Sequence, residues 1–440
     1  MSSSVDSVAQ AAASVLAGND RGTRTVAAPR LYPHQWSWDA AFVSIGWATL
    51  SVPRALTELR SLLAGQWSSG MIPHIVFSDA PGYFPGLDRW RTDGAPAAPE
   101  GVGTSGICQP PVHGLALHVI AGIAATGTPD DRAAVEEFLR DELDRLVLWH
   151  RWLGSVRSTH ESGLVEIHHG WESGMDNSPR WDGPYSRIVV EQLAPYQRQD
   201  LRHVDDPTER PTDLDYDRYI HLVDQLASVH YDDRAARAVI DFRVGDVFVT
   251  ALHALSAQLL AGLAERIGRT DVVAELTALA AHARAAVAAT RDEGTGLARD
   301  LDLRTDEWLA TETVGGFAEL VCGASPERYR ALTALLTGPR WCGHPDLAFP
   351  LPPSTSPESP AFVAASYWRG PVWPVLTWLL SWCLHHHGQP GAAAALRTAG
   401  LQQLGDGRFG EYYHPLDGRA LGSDDQSWTA AAALAWAATP

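Results

Sequence analysis

Lysine is absent from all 440 residues, and its absence removes the chemistry that needs an ε-ammonium: a Schiff base, a phosphate-binding P-loop or a kinase-type nucleotide site. Positive charge is scarce altogether, with 34 arginines against 52 acidic residues and a net charge of −18, a balance that repels nucleic-acid backbones and anionic membrane surfaces. Cysteine is limited to Cys108, Cys322, Cys342 and Cys383, scattered and without a CxxC pair, which argues against a disulfide framework or a cysteine metal site and fits reduced thiols. No unbroken apolar run of about 18 residues occurs, and the first residues lack the basic and apolar regions of an export signal. A cytoplasmic protein with no nucleic-acid or membrane partner is therefore expected. Sustained alternation of β-branched residues is nearly missing too, which argues against a sheet protein.

What is present is helix and long connector. Alanine- and leucine-rich segments with apolar residues at helical spacing recur at 39–50, 53–65, 111–126, 130–153, 246–267, 271–290, 326–337, 371–387, 391–404 and 427–438. Proline or aspartate opens several of them (Pro53, Asp130, Asp271, Pro371), as helix starts require. The fold class read from this pattern is all-α. The chain exceeds the roughly 100–200 residues of an ordinary core, so a large toroid or barrel, or two to three domains, is expected. Connectors at 66–110, 159–235 and 339–370 are far longer than the ~12–15 residues typical of structureless loops, and loops of that length usually carry function.

The 17 tryptophans concentrate beside acids in these connectors, as in Trp36, Trp38 and Asp39 or Trp171, Glu172 and Asp176. Indole faces stack on the C–H groups of a sugar ring while carboxylates take its hydroxyls, so the clustering points to a carbohydrate cleft rather than to core packing alone. Cleavage of a glycosidic bond needs one protonated carboxyl and one carboxylate. Asp176, in HHGWESGMDNSPRWD, stands where glycine and proline forbid a regular helix and where Trp171, Met175 and Trp181 could desolvate it, which suits a general acid. Glu411, in FGEYYHP, is flanked by groups able to hold it ionised as a base.

Four motifs in order, LYPHQWSWDAAF, GWESGMDNSPRWD, SYWRGPVWP and GEYYHPLDGRALGSDDQSWTA, resemble those of glycoside hydrolase family 63, most closely its short bacterial members acting on mannosylglycerate or glucosylglycerate. The resemblance runs from near residue 31 to near residue 430. It implies a single (α/α)6 toroid over 1–440 with cap or lid insertions near 66–110 and 200–235, inversion at an α-linked sugar, and no metal or other cofactor. It assigns Asp176 as acid and Glu411 as base. It places Tyr32, Trp36, Asp39, Gln109, Trp171, Tyr367, Trp368 and Trp373 around the sugar, and Arg210, Tyr216, Gln426 and Tyr83 around the glycerate carboxylate. A guanidinium fork suits a carboxylate independently of any family.

The expected activity is hydrolysis of a small α-glycoside, glucosylglycerate or mannosylglycerate, by a chain with room to form a dimer or tetramer. The alternatives are an α-glucosidase for a neutral disaccharide, an inverting phosphorylase, which Glu411 disfavours because it would repel phosphate, and a non-catalytic carbohydrate-binding toroid, which has no need of the Asp176 and Glu411 pair. His168, His169 and the run His385–His387 lack metal-ligand spacing, and the run before Gly388 reads as a C-terminal cap facing the helix dipole. Asp205, Asp206, Asp424 and Asp425 read as solvated loop charges, and Asp246 as part of a helical core segment. Glucose and mannose differ only at the 2-hydroxyl, and one side chain can decide between them.

Overall fold

A computed structural model describes residues 2–80, 82–204 and 206–438; Asp205 lies outside them. Thirteen helices organise the chain: α1 (Ser2–Asn19), α2 (Ser37–Ala48), α3 (Val52–Leu63), α4 (His113–Thr126), α5 (Pro129–Ser155), α6 (Asp213–Ser228), α7 (Val247–Arg266), α8 (Thr270–Ala289), α9 (Ala318–Cys322), α10 (Pro326–Thr337), α11 (Pro374–His386), α12 (Pro390–Gln403) and α13 (Ser427–Ala438). Six of them, α2, α4, α7, α9, α11 and α13, pack side by side into a closed inner ring, with α13 returning against α2. Each inner helix is backed by an outer one: α3 on α2, α5 on α4, α8 on α7, α10 on α9, α12 on α11, and α1 on α13. The architecture is an (α/α)6 toroid closed by its first and last helices.

Position in the ring explains composition. A helix covered on both faces is apolar all round, whereas one covered on one face carries a stripe. Every residue of α2 is buried, while α3 buries mainly Val52, Ala55, Leu56, Leu59, Leu62 and Leu63. By length and composition α7 and α8 could each cross a membrane; α7 owes this to its inner position, with 89% of its apolar window buried in the protein.

All ten helical segments expected from periodicity are present as helices, with starts shifted by a few residues. Two substantial helices escape that reading. α1 occupies the opening residues, and α6 lies inside the stretch 159–235 that reads as a polar connector. α6 is announced by a capping box between Thr212 and Asp215, and its Tyr219, Ile220, Leu222, Val223 and Leu226 form one buried face, but the flanking aspartates mask the pattern. Strand content among the described residues is confined to short ladders, the largest a four-stranded antiparallel sheet of β1 (Val165–Ile167), β2 (Val244–Asp246), β3 (Asp300–Asp302) and β4 (Glu307–Leu309).

The histidine run ends α11 as expected, with the His387 amide donating to the Cys383 carbonyl at 2.9 Å, but the charge expected there needs correction at His387. His386 stacks on Trp382 with centroids 4.7 Å apart, and His387 lies 4.7 Å from Tyr329. Burial, reinforced by His386, lowers His387 to about 4, so it is neutral near pH 7 and contributes packing rather than a charge against the helix dipole. Asp246 is more than a core residue: it caps α7 by accepting from the Phe248 and Val249 amides. The four cysteines are free and buried.

Candidate active site

The site lies where the inner helices begin. Tyr32 and Trp36 lead into α2 and Asp39 occupies its first turn; Gln109 precedes α4; Tyr367 and Trp368 precede α11; Glu411 and Gln426 precede α13. The loop after β1 supplies Trp171 and Asp176, and the segment around α6 supplies Arg210 and Tyr216. These side chains, with Tyr83, line a single pocket whose space, counted out through its open mouth, is about 910 Å3.

Trp373 is the exception among the residues assigned from sequence. It does not line the pocket; its ring lies flat behind Trp368, with centroids 3.6 Å apart and planes within 2°, and its Nε1 donates to the Tyr367 carbonyl. Only one face of a stacked indole pair can meet a ligand, and here it belongs to Trp368. Trp368→Ala is accordingly expected to lower kcat/KM by about tenfold or more. Trp373→Leu should spare more activity but lower unfolding stability by on the order of 2–3 kcal/mol, since it opens a cavity beneath the platform. Steady-state kinetics and urea unfolding of both variants check this; equal kinetic losses with equal stability would place both rings at the ligand.

Four carboxyl groups line the pocket, Asp39, Asp176, Asp200 and Glu411, and three of them stand in unlike settings. Burial raises Asp176 to about 7, with the charge of Glu411 adding to the shift and Arg210 opposing it. Burial, followed by the charges of Glu411 and Asp176, also pushes Asp39 well above the usual carboxylate range. Glu411 is the acceptor of the set. Its Oε1 takes the Tyr32 hydroxyl at 2.9 Å and the Tyr367 hydroxyl at 3.2 Å, and its Oε2 takes Arg210 Nη2 at 2.7 Å and the Ser423 amide at 3.1 Å. Burial raises both tyrosines, so they remain protonated donors. Gly422, at φ +72°, allows the chain to turn against this carboxylate, because a Cβ there would lie 2.6 Å from Glu411 Oε2. Tyr367 is held at φ +35°, a left-handed conformation costly for tyrosine that over-determined surroundings maintain at functional sites.

The acid loop is braced by buried ion pairs that sequence reading did not single out. Glu172 accepts both Nη groups of Arg157 at 3.0 Å each, and the His168 and Cys108 amides, which ties the Asp176 loop to the segment carrying Gln109. Burial alone would raise Glu172, but the Arg157 charge and hydrogen bonds hold it at about 2. Arg180 reaches Asp300 and Asp246 and packs over Trp181 at 4.1 Å. Trp181 and Met175 belong to this support; neither lines the pocket, so Trp171 alone of the three proposed desolvating residues reaches it. His168 is engaged by Glu166, and His169 lies against Trp171.

Arg210 pairs with Glu411, donates through Nη1 to Tyr32, and lies 4.7 Å over the Tyr367 ring. Its buried Nε has no partner. Trp38, noted in the tryptophan cluster, lines the pocket too, and the pocket residues that sequence reading passed over include His74, Asp200, Tyr219 and Trp428. His74 stacks on Trp171, and burial with His169 nearby lowers it to about 3, so it is a neutral polar group. Nothing local distinguishes a lone histidine in MIPHIV. Asp206 caps a short turn through the Thr208 amide, and Asp424 is exposed with Arg30.

The chain is similar to characterised proteins over nearly its whole length. It is 52% identical over 433 residues, 98% of this chain and 97% of the other, to the glucosylglycerate hydrolase of Mycolicibacterium hassiacum. It is 38% identical to a mannosylglycerate hydrolase of Thermus thermophilus, with 97% and 99% of the two chains covered. The crystal structure of a family 63 mannosylglycerate hydrolase from Thermus thermophilus in complex with Tris and D-glycerate superposes with a TM-score of 0.88 at 37% identity, covering 98% and 99% of the chains. Residues 32–429 match the model of the mannosylglycerate hydrolase MGH1-like glycoside hydrolase domain, and the chain belongs to that glycoside hydrolase family.

Proposed function

We propose that this chain hydrolyses α-glucosylglycerate, with inversion, to glucose and glycerate. The observation that carries the reading is one pocket holding a carboxyl raised to about 7, a carboxylate with four donors, and a buried guanidinium with a free Nε. The relative at 52% identity supports glucose; those at 36–38% identity act on mannosylglycerate, which keeps mannose as the second candidate.

Asp176, protonated below about pH 7, gives its proton to the glycosidic oxygen as the C1–O bond breaks. Glu411 takes a proton from a water attacking C1 from the opposite face, so an α-glycoside yields a β-sugar. Trp36, Trp171 and Trp368 hold the sugar, and Asp39, whose proton affinity burial raises, meets a hydroxyl. Tyr83, Tyr216 and Gln426 complete the aglycone side, where the Nε edge of Arg210 meets the carboxylate and aligns the scissile oxygen with Asp176.

The test is a panel of glucosylglycerate, mannosylglycerate, kojibiose, trehalose and sucrose followed by NMR. Glucosylglycerate should be cleaved fastest, with the β-anomer first; an α-anomer rules the mechanism out. Against glucosylglycerol the acid should be preferred by about thirtyfold in kcat/KM, and Arg210→Ala should erase the preference. Equal losses on both substrates would show that Arg210 serves Glu411 or its own loop and not the aglycone carboxylate.

A further inference from the structure

Arg210 faces two ways. Its Nη2 is 2.7 Å from Glu411 Oε2, its Nη1 reaches the Tyr32 hydroxyl that itself donates to Glu411 Oε1, and its buried Nε remains unpartnered. No other arginine lines the pocket among the described residues, although four carboxyl groups do, Asp39, Asp176, Asp200 and Glu411. One guanidinium thus serves as counter-ion to the base and, on the function proposed above, as receptor for the carboxylate of the aglycone.

We infer that the aglycone carboxylate activates the base through Arg210: in the empty site the guanidinium holds Glu411 in an ion pair, and an arriving carboxylate draws that positive charge to its Nε edge and leaves Glu411 a better proton acceptor. Charge sharing of this kind is strong here because both partners of the pair are only 2% exposed and are poorly screened. Recognition of the acid then acts on the chemical step as well as on binding. A neutral glycoside binds beside a base still tied to Arg210, and hydrolysis of the acid is favoured in kcat, not only in KM.

This inference rests on the glycerate reading but fails separately from it. The probe is α-glucosyl fluoride, or the mannosyl fluoride if the panel selects mannose. Water attacks C1, the C1–F bond breaks, fluoride departs with its electron pair without needing a proton, and Glu411 receives the proton from water, so the rate reports the base. Added D-glycerate should raise kcat for the wild type by about tenfold, whereas glycerol, of the same shape without the carboxylate, should not. The ratio of rates with and without glycerate should fall to about one in Arg210→Ala, whose folding is checked by circular dichroism. Glycerate that only inhibits the wild type, or acts no differently from glycerol, overturns the inference even if the enzyme cleaves glucosylglycerate. The wild-type comparison decides this whether or not the variant folds.

Discussion

Asp176→Asn is expected to lower kcat on glucosylglycerate by about 10²–10⁴-fold, because the amide cannot protonate the departing glycerate oxygen. The same variant should lose far less on α-glucosyl fluoride, whose leaving group needs no proton. For the wild type, the proton on Asp176 is held up to about pH 7, so kcat/KM should fall about tenfold per unit above that pH. The substitution should also stabilise the fold. A carboxyl whose folded pKa exceeds its unfolded one resists deprotonation in the native state. The resulting penalty is absent below about pH 4, grows as the pH rises, and is complete above about 7. Asp176→Asn should therefore gain on the order of 2 kcal/mol at pH 8 and nothing at about pH 3.5. Kinetics on the two substrates and urea unfolding at the two pH values test both halves. Equal losses on glycoside and fluoride would remove Asp176 from the acid role, and pH-independent stabilisation would show that its proton is not the cause.

Replacing Glu411 separates chemistry from architecture. Glu411→Gln keeps the side chain's shape and one of its two acceptor oxygens, so it should fold with a smaller loss of stability than the alanine variant while kcat falls by about 10²–10⁴-fold. Glu411→Ala should be equally inactive and less stable by about 3–5 kcal/mol, because it leaves Arg210 buried without its partner. Azide should restore turnover to Glu411→Ala by filling the vacated space and attacking C1 in place of water, giving the β-glucosyl azide if inversion holds. Thermal unfolding, steady-state rates and NMR of the azide product measure the three effects. A glutamine variant retaining a tenth of the activity, or an α-glucosyl azide, would remove Glu411 as the base.

Much of the frame is legible along the chain. Helix spacing locates ten of the twelve ring helices, because amphipathic or all-round apolar periodicity depends on residues a few positions apart. Tryptophan beside acid in the connectors locates the loops that carry the pocket, and the four motifs order them. The helix at Asp213–Ser228 stays hidden because its exposed side is as polar as the connector around it, and only its packing shows which side is covered.

Which of several similar residues does what emerges only in three dimensions. Trp368 and Trp373 stand in one motif, and only their stacking shows that one faces the pocket and the other supports it from behind. Glu172 and Asp176 share one loop, yet Arg157 holds the first ionised and structural while desolvation leaves the second protonated near neutral pH. Arg210 meets Glu411 from 201 residues away and thereby becomes the counter-ion of that buried carboxylate. Helical periodicity is a property of neighbours in the chain, so the order of residues is enough to lay out the rings and the loops between them. Proton affinity and ion pairing depend on burial and on charges brought together across the toroid, so acid, base and counter-ion acquire their roles only when the chain closes.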